Sequence, residues 1–243
     1  MSNKLRLIID TPRGAALNMA IDEVLMESQR QKGSTPVLRI YFWDAPAYTI
    51  GYFQNVEQTA RRFHCQERGI NVVRRLTGGG MVLHRDDLTF SLSLPNPNPF
   101  LAGDVKSSYL KINEALRAGL KGDCPDIDYA DCRTVPSGRA KGDRVCFEAP
   151  SCYDLLLRGK KIVGASQRRK DGVVLHQSAV FADLPREILV QRIVEGFQEK
   201  WKVDFKKAPL TEEELSCARE KEASRYGSSE WACPAVSLCS SLS

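Results

Sequence analysis

The sequence predicts a single α/β domain, and three observations point to it. Segments with apolar residues at helical spacing are interspersed with segments of strictly alternating apolar and polar residues. A length of 243 residues suits one substantial hydrophobic core. Three consecutive glycines, Gly78, Gly79 and Gly80, join two alternating segments, so a strand rather than a helix follows them.

The elements follow in order. A helix from Ala15 to Gln31 carries Leu17, Ile21, Val24 and Leu25 on one face. Strands at 37–43 and 48–53 are separated by the turn residues Asp44 and Pro46. Strands at 71–75 and 81–94 flank the glycines, which read as a turn between them. Leu88, Phe90, Leu92 and Leu94 alternate with Thr89, Ser91 and Ser93, the period of a half-buried strand. A helix over 105–120 places Tyr109, Ile112, Leu116 and Leu120 on one face. Residues 122–144 are rich in Gly, Pro, Asp, Lys and Arg without periodicity and read as a loop. Strands follow at 151–157, 160–167 and 172–181, the last two joined by Arg169, Lys170 and Asp171. A helix over 185–201 has Pro185 in its first turn. A last helix begins at Thr211, where Thr211 and Glu214 have the spacing of a capping box. Residues 1–205 form the body of the domain, and 206–243 form a C-terminal helical segment and tail of the same domain.

Composition narrows the class. Hydrophobic residues at 42% and charged residues at 27% describe a folded globular chain rather than a disordered one. No apolar run approaches the roughly 20 residues that span a bilayer. The N-terminus lacks a secretory apolar region and cleavage site, so a cytoplasmic location with no membrane partner is expected. The net charge of +5 is modest, and basic residues sit beside acids, which argues for a solvated surface rather than a nucleic-acid site. Eight cysteines include no C-x-x-C pair, so most are expected to be reduced thiols. With 3 histidines, no metal site is expected.

The candidate chemistry lies in three places. In RRLTGGGMVLHRDDLTFS (74–91), Gly78 to Gly80 leave bare backbone that can aim N–H groups at a ligand. Arg74 and Arg75 precede the glycines and His84 follows them. Neither G-x-G-x-x-G nor G-K-[ST] is present here, which excludes the usual nucleotide loops. Lys161, in K-I-V-G-A, alternates with apolar neighbours, and a strand would turn it to the same face as Val163. An ammonium on such a face needs an oxygen to bind. Cys146, in RVCFEAPSC, has Arg144 nearby in the chain; a nearby Arg144 or Lys161 would favour its thiolate, the reactive form.

These segments, together with NMAIDEVL (18–25), TIGYFQN (49–55), GKKIVGASQRR (159–169) and RYGSSEW (225–231), resemble the lipoate–protein ligase and octanoyltransferase family. Its members share a catalytic fold with biotin–protein ligases. The resemblance runs over residues 5 to 231 and implies that residues 1–205 are a catalytic acyl-transfer domain with a mixed sheet flanked by helices. It implies an acyl pocket with TIGYFQN (49–55) as one wall, Arg74, Gly78, Gly79, Gly80, His84 and Tyr52 at the substrate, and Lys161 on the acyl carbonyl or an adenylate phosphate. The C-F-E-A-P-S segment is similar to that of the cysteine-dependent octanoyltransferase branch, which implies Cys146 as the acyl-carrying nucleophile, ahead of Cys152.

That branch would move octanoyl from acyl carrier protein to a lipoyl-domain protein, such as glycine cleavage H protein or a 2-oxoacid dehydrogenase E2, and would require no cofactor. The alternative is an ATP-dependent lipoate–protein ligase using lipoyl-adenylate and magnesium; a non-catalytic acyl-binding member ranks third. The absence of an accessory domain after RYGSSEW, together with Cys146, favours the transferase. Two positions depart from the family. Many relatives have the histidine of GVVLHQSAVF one place after His176, and Arg85 replaces an aspartate for which Asp86 or Asp87 could compensate.

Overall fold

The computed structural model describes residues 3–101, 103–133, 147 and 150–235. Strand β1 (Lys4–Ile9) leads into helix α1 (Ala15–Ser28), followed by β2 (Val37–Tyr41), β3 (Ala47–Ile50), a short helix α2 (Val56–Arg62) and β4 (Asn71–Arg74). Strand β5 (Val82–His84) and strand β6 (Leu88–Pro95) precede α3 (Val105–Leu120), β7 (Ile127–Tyr129), β8 (Leu155–Leu157) and β9 (Lys160–Lys161). The hairpin of β10 (Val163–Lys170) and β11 (Val173–Val180) leads to α4 (Arg186–Trp201), β12 (Asp204–Lys207), α5 (Glu212–Lys221) and β13 (Ala232–Cys233).

The main sheet has the order β10-β11-β6-β2-β1-β12 and mixes antiparallel with parallel pairs. Strand period sorts its side chains between two cores. Leu38 and Ile40 of β2 and Phe90, Leu92 and Leu94 of β6 join Ile112, Leu116, Ile193 and Phe197 of α3 and α4. Val37 and Tyr41 of β2, followed by Trp43, turn the other way, toward Ile21 and Leu25 of α1. A second sheet, β13-β4-β3-β5, carries its own apolar core with Tyr48, Ile50, Val72 and Met81. A third, β7-β8-β9, is small.

Helix α3 spans the predicted residues, and Thr211 caps α5 in the predicted capping box with Glu214. Several expectations need correction. The glycines do not form a hairpin: β4 pairs with β3 in parallel and β5 pairs with it antiparallel on the opposite side, so the glycine segment arcs across the end of β3. The long strand expected over 81–94 breaks after His84, because β5 and β6 belong to different sheets. The expected strand over 160–167 likewise divides at Ile162, where the chain passes from β9 in the third sheet to β10 in the main one. Strand β6 is buried on both faces rather than one, since α1 covers its Thr and Ser side. Pro185 stands just before α4, at its N-cap, rather than inside its first turn. Finally, α1 buries the polar residues Asn18, Asp22 and Glu23, while Leu17 and Val24 are only half-buried.

Candidate active site

A cleft enclosing ≈ 340 Å³ of empty space, its open mouth included, lies between the main sheet, the second sheet and α1. Its walls are Met19 from α1, Tyr41, Trp43, Thr49, Arg75, Val82 and His84, Thr89, and the segments Gly164–Ser166 and Gln177–Ala179 of the β10–β11 hairpin. The cleft is apolar along Met19, Trp43 and Val82 with a few fixed polar groups, the mixed lining of a small-molecule site.

The polar groups are held by buried partners. The imidazole of His84 bridges Thr49 Oγ1 and Asp87 Oδ2, each at 2.8 Å, and stacks on Trp43 with ring centroids 4.0 Å apart. Burial alone would raise the Asp87 carboxyl. The His84 charge and hydrogen bonds from His84, Thr89 and the Arg85 N–H instead hold it below its ordinary value. Asp87 is thus the carboxylate that serves His84 where Arg85 stands next to it; Arg85 is exposed.

Beneath the cleft, Asp22 accepts four hydrogen bonds, from Arg39, Ser91, Tyr41 and Gln177. Burial, then the charge of Asp22, push the Tyr41 phenol well above its ordinary value, so it acts as a donor. Gln177 donates to Asp22 and accepts from Thr77 Oγ1, both at 2.7 Å, and Thr77 meets Ser166 Oγ at 2.7 Å. Every polar side chain in this chain of contacts has a partner, as a rigid buried network requires.

The residues expected at the site fall into separate places. His84 lines the cleft, but Arg74 and Tyr52 do not. Arg74 donates to the backbone carbonyls of Tyr52, Gln54 and Glu230 on the outer side of the glycine turn. Tyr52 stacks under Arg168, with the guanidinium 4.7 Å from its ring, and its N–H donates to the Thr77 carbonyl. It is Arg75, 4% exposed, that points inward and donates to the carbonyls of Gly78 and Gly80. Gly79 has a φ of +88°, open to glycine, and Gly51 has no room for a side chain because a Cβ there would collide with the Gly79 carbonyl oxygen.

Lys161 is buried beside exposed Lys160, and its Nζ lies 2.6 Å from Asp154 Oδ2; Ile162 and Val163 are buried as well, so the expected alternation does not continue past Lys161. Cys146 and Arg144 lie outside the described residues. Phe147, the residue after Cys146, has its ring centroid 5.5 Å from Lys161 Nζ. Cys152 is joined to Cys132 in a disulfide, which corrects the expectation of idle thiols at these two positions and leaves Cys152 without a thiolate in this state. Cys65, Cys124, Cys217 and Cys233 are free thiols.

Residues 14–212 match the lipoyl protein ligase A/B catalytic domain. The chain belongs to this family. Among family members, an octanoyltransferase LipM of Moorella thermoacetica is 33% identical, the match covering 88% of this chain and 92% of that protein. A putative lipoate protein ligase of T. acidophilum superposes with a TM-score of 0.79 at 27% identity, covering 94% and 98% of the two chains. A lipoate-protein ligase A bound with ATP gives a TM-score of 0.77 at 26% identity, with the same coverage.

Within this family framework, His176 and Gln177 exchange places relative to the expectation for a histidine. His176 faces α3, with its Nε2 2.7 Å from Ser178 Oγ and its ring near Phe90 and Tyr109. Burial pushes its imidazole down to about 3, so it is neutral. Gln177 takes the cleft side, as the one-residue shift along a strand demands. Thr49 lines the cleft from the TIGYFQN segment expected as a pocket wall, whereas Asp22, Tyr41 and Trp43 were not among the sequence candidates. Asp22 carried a signal, an acid within the apolar helix segment NMAIDEVL; Tyr41 and Trp43 reach the cleft only through sheet pairing. Among the described residues no group of three or more His, Cys, Asp and Glu could hold a metal ion, and no helix is long and apolar enough to cross a membrane.

Proposed function

We propose that this chain moves an octanoyl group from acyl carrier protein to a lysine of a lipoyl-domain protein, such as glycine cleavage H protein or a 2-oxoacid dehydrogenase E2, through a thioester on Cys146. The observation that carries this reading is the contact between Lys161 and Phe147, the chain neighbour of Cys146, with Nζ 5.5 Å from the ring centroid. It puts Phe147, which follows Cys146 in sequence, beside the buried lysine in a family whose relatives include octanoyltransferases.

In the first step the Cys146 thiolate attacks the carbonyl carbon of the octanoyl thioester. A new C–S bond forms, and the carrier thiolate leaves and takes up a proton. In the second step the neutral lysine amine of the acceptor attacks the same carbon. The amide C–N bond forms, the Cys146 thiolate leaves, and the amine gives up a proton to water. One thioester is exchanged for another and then for a more stable amide, so neither ATP nor metal is needed. Lys161 donates to the carbonyl oxygen as negative charge builds on it. The acyl chain lies along Trp43, Val82 and Met19. Gly78, Gly79 and Gly80 do not line the cleft itself; they reach it through Arg75, which lines it and holds the carbonyls of Gly78 and Gly80.

A second reading, an ATP-dependent lipoate–protein ligase using lipoyl-adenylate and magnesium, is favoured by the likeness to the ATP-bound ligase. One assay separates the two: octanoyl carrier protein and apo acceptor are incubated with the chain without ATP, and the acceptor mass is measured. A gain of one octanoyl group supports the transferase. No gain without ATP, followed by a gain with lipoate and ATP, supports the ligase.

A further inference from the structure

We infer that Asp154 is a positioning residue for acyl transfer, fixing the Lys161 ammonium through their buried ion pair; this rests on the catalytic reading of Lys161 above. Both residues are buried, Asp154 at 9% exposed and Lys161 at 8%, and Lys161 Nζ lies 2.6 Å from Asp154 Oδ2.

Asp154 is itself held from several directions. Its Oδ2 accepts the Ser151 N–H at 2.6 Å, and its own N–H donates to the Ser151 carbonyl at 3.0 Å, closing a tight turn. Its carbonyl accepts the Ala130 N–H at 2.8 Å. The preceding residue, Tyr153, has its carbonyl bound by Asn113 Nδ2 of α3 at 2.9 Å. Two residues before Asp154, the Cys152–Cys132 disulfide ties the same two segments together, with Cα atoms 4.5 Å apart.

Lysine is a compact charge on a flexible four-carbon stem, and it has to be ordered before it can stabilise a developing oxyanion. A carboxylate fixed by its own turn does that ordering and offsets the cost of burying the ammonium. An ammonium carries three donors, so one lysine can hold Asp154 and an acyl oxygen together. The strand pairing supports the same placement. Lys161 pairs with Leu156 in the third sheet, and the Ile162 N–H donates to the Leu155 carbonyl, so the backbones bearing carboxylate and ammonium are in register.

A purely structural role predicts something different. If Asp154 served only to accept the Ser151 N–H, asparagine would serve equally well, because it keeps an oxygen at the same position. The test compares Asp154→Asn and Asp154→Glu in octanoyl transfer from octanoyl carrier protein to an apo acceptor, with Lys161→Ala alongside and melting temperatures recorded. We expect Asp154→Asn to lower kcat by about ten-fold or more while KM for the carrier stays within about two-fold, the signature of a lost transition-state interaction. Asp154→Glu keeps the charge but displaces it, so it should lose kcat to a smaller extent. A folded Asp154→Asn or Asp154→Glu with wild-type kcat overturns the assignment, as does a loss confined to KM or an asparagine variant that outperforms the glutamate one. If either variant fails to fold, the other still decides. A fully active Lys161→Ala would instead remove the lysine reading itself, and an inactive Lys161→Ala beside an active Asp154→Asn would leave that reading standing and remove only Asp154.

Discussion

The guanidinium of Arg75 donates to the carbonyl of Gly80 at 2.7 Å and, through the same Nη2, to that of Gly78 at 2.6 Å. Its Nη1 reaches the Thr49 carbonyl at 3.1 Å and its Nε the Ser166 hydroxyl at 3.3 Å. One planar side chain thereby sets the curvature of the glycine turn against β3 and β10. A bare glycine segment would otherwise have more conformational freedom than any other in the chain.

Arg75→Lys should therefore loosen the turn. A lysine keeps the charge but not the fork that reaches carbonyls on two sides. Hydrogen bonds to charged groups contribute about 1.5–3 kcal/mol each, and we expect a net loss of about 3 kcal/mol of stability together with weaker octanoate binding. Urea unfolding and octanoate titration measure the two effects. Wild-type values for both would show that the turn holds its shape without the arginine.

The three glycines should respond unequally to substitution. Gly79 has φ +88°, and a Cβ there would lie 3.0 Å from Arg75 Nη2, whereas a Cβ on Gly78 meets nothing within 4 Å. Gly79→Val should lose acyl binding and about 1–2 kcal/mol or more of stability from the left-handed backbone alone. Gly78→Ala should fold with near wild-type stability. Equal stability losses at the two positions would contradict the geometry, and a folded Gly79→Val that binds octanoate normally would reduce the motif to a connector.

Much of this arrangement is legible in the sequence, for local reasons. The capping spacing of Thr211 and Glu214 and the helical spacing in α3 depend only on neighbouring residues. The choice between Arg74 and Arg75 does not. Arg74 ends the strand Asn71–Arg74 and Arg75 follows it, and which one turns inward depends on how β4 pairs with β3, a contact distant in sequence. The same limit hid Tyr41 and Trp43. The place of Gln177 could have been read from the phase of β11, since His176 and Gln177 must face opposite ways. The polar face of α1 stayed hidden because Asn18 and Asp22 are buried to receive Arg39, a partner on another element.

His176 makes a pH-dependent contribution that can be separated from the cleft. The unfolded chain binds its proton near the ordinary value of about 6.5, and the folded chain does so only near about 3. The contribution to stability is fully present above about pH 6.5 and is lost as pH falls toward 3, by up to about 1.4 kcal/mol per pH unit. At pH 5 this amounts to about 2 kcal/mol. His176→Gln cannot ionise, so its stability should decline less between pH 7 and pH 5 than that of the wild type. Denaturant midpoints at the two pH values provide the check, and parallel declines would show that His176 is not the group responsible.

The decisive position for the chemistry is Cys146. If it carries the acyl group, incubation with octanoyl carrier protein alone should add one octanoyl group to the enzyme, located by mass spectrometry on the peptide containing Cys146. Neutral hydroxylamine should remove it, as it does thioesters but not amides. Cys146→Ala should lose both adduct and transfer. Cys152→Ala is the necessary control: it breaks the disulfide with Cys132 but leaves Cys146 in place, so it should still form the adduct. The two losses must occur together, because an acyl-enzyme on the pathway cannot be removed without stopping turnover. A Cys146→Ala variant that still transfers octanoyl, or an adduct that survives hydroxylamine, is incompatible with a cysteine intermediate. Activity that then depended on ATP, with release of pyrophosphate, would assign the chain to the ligase chemistry.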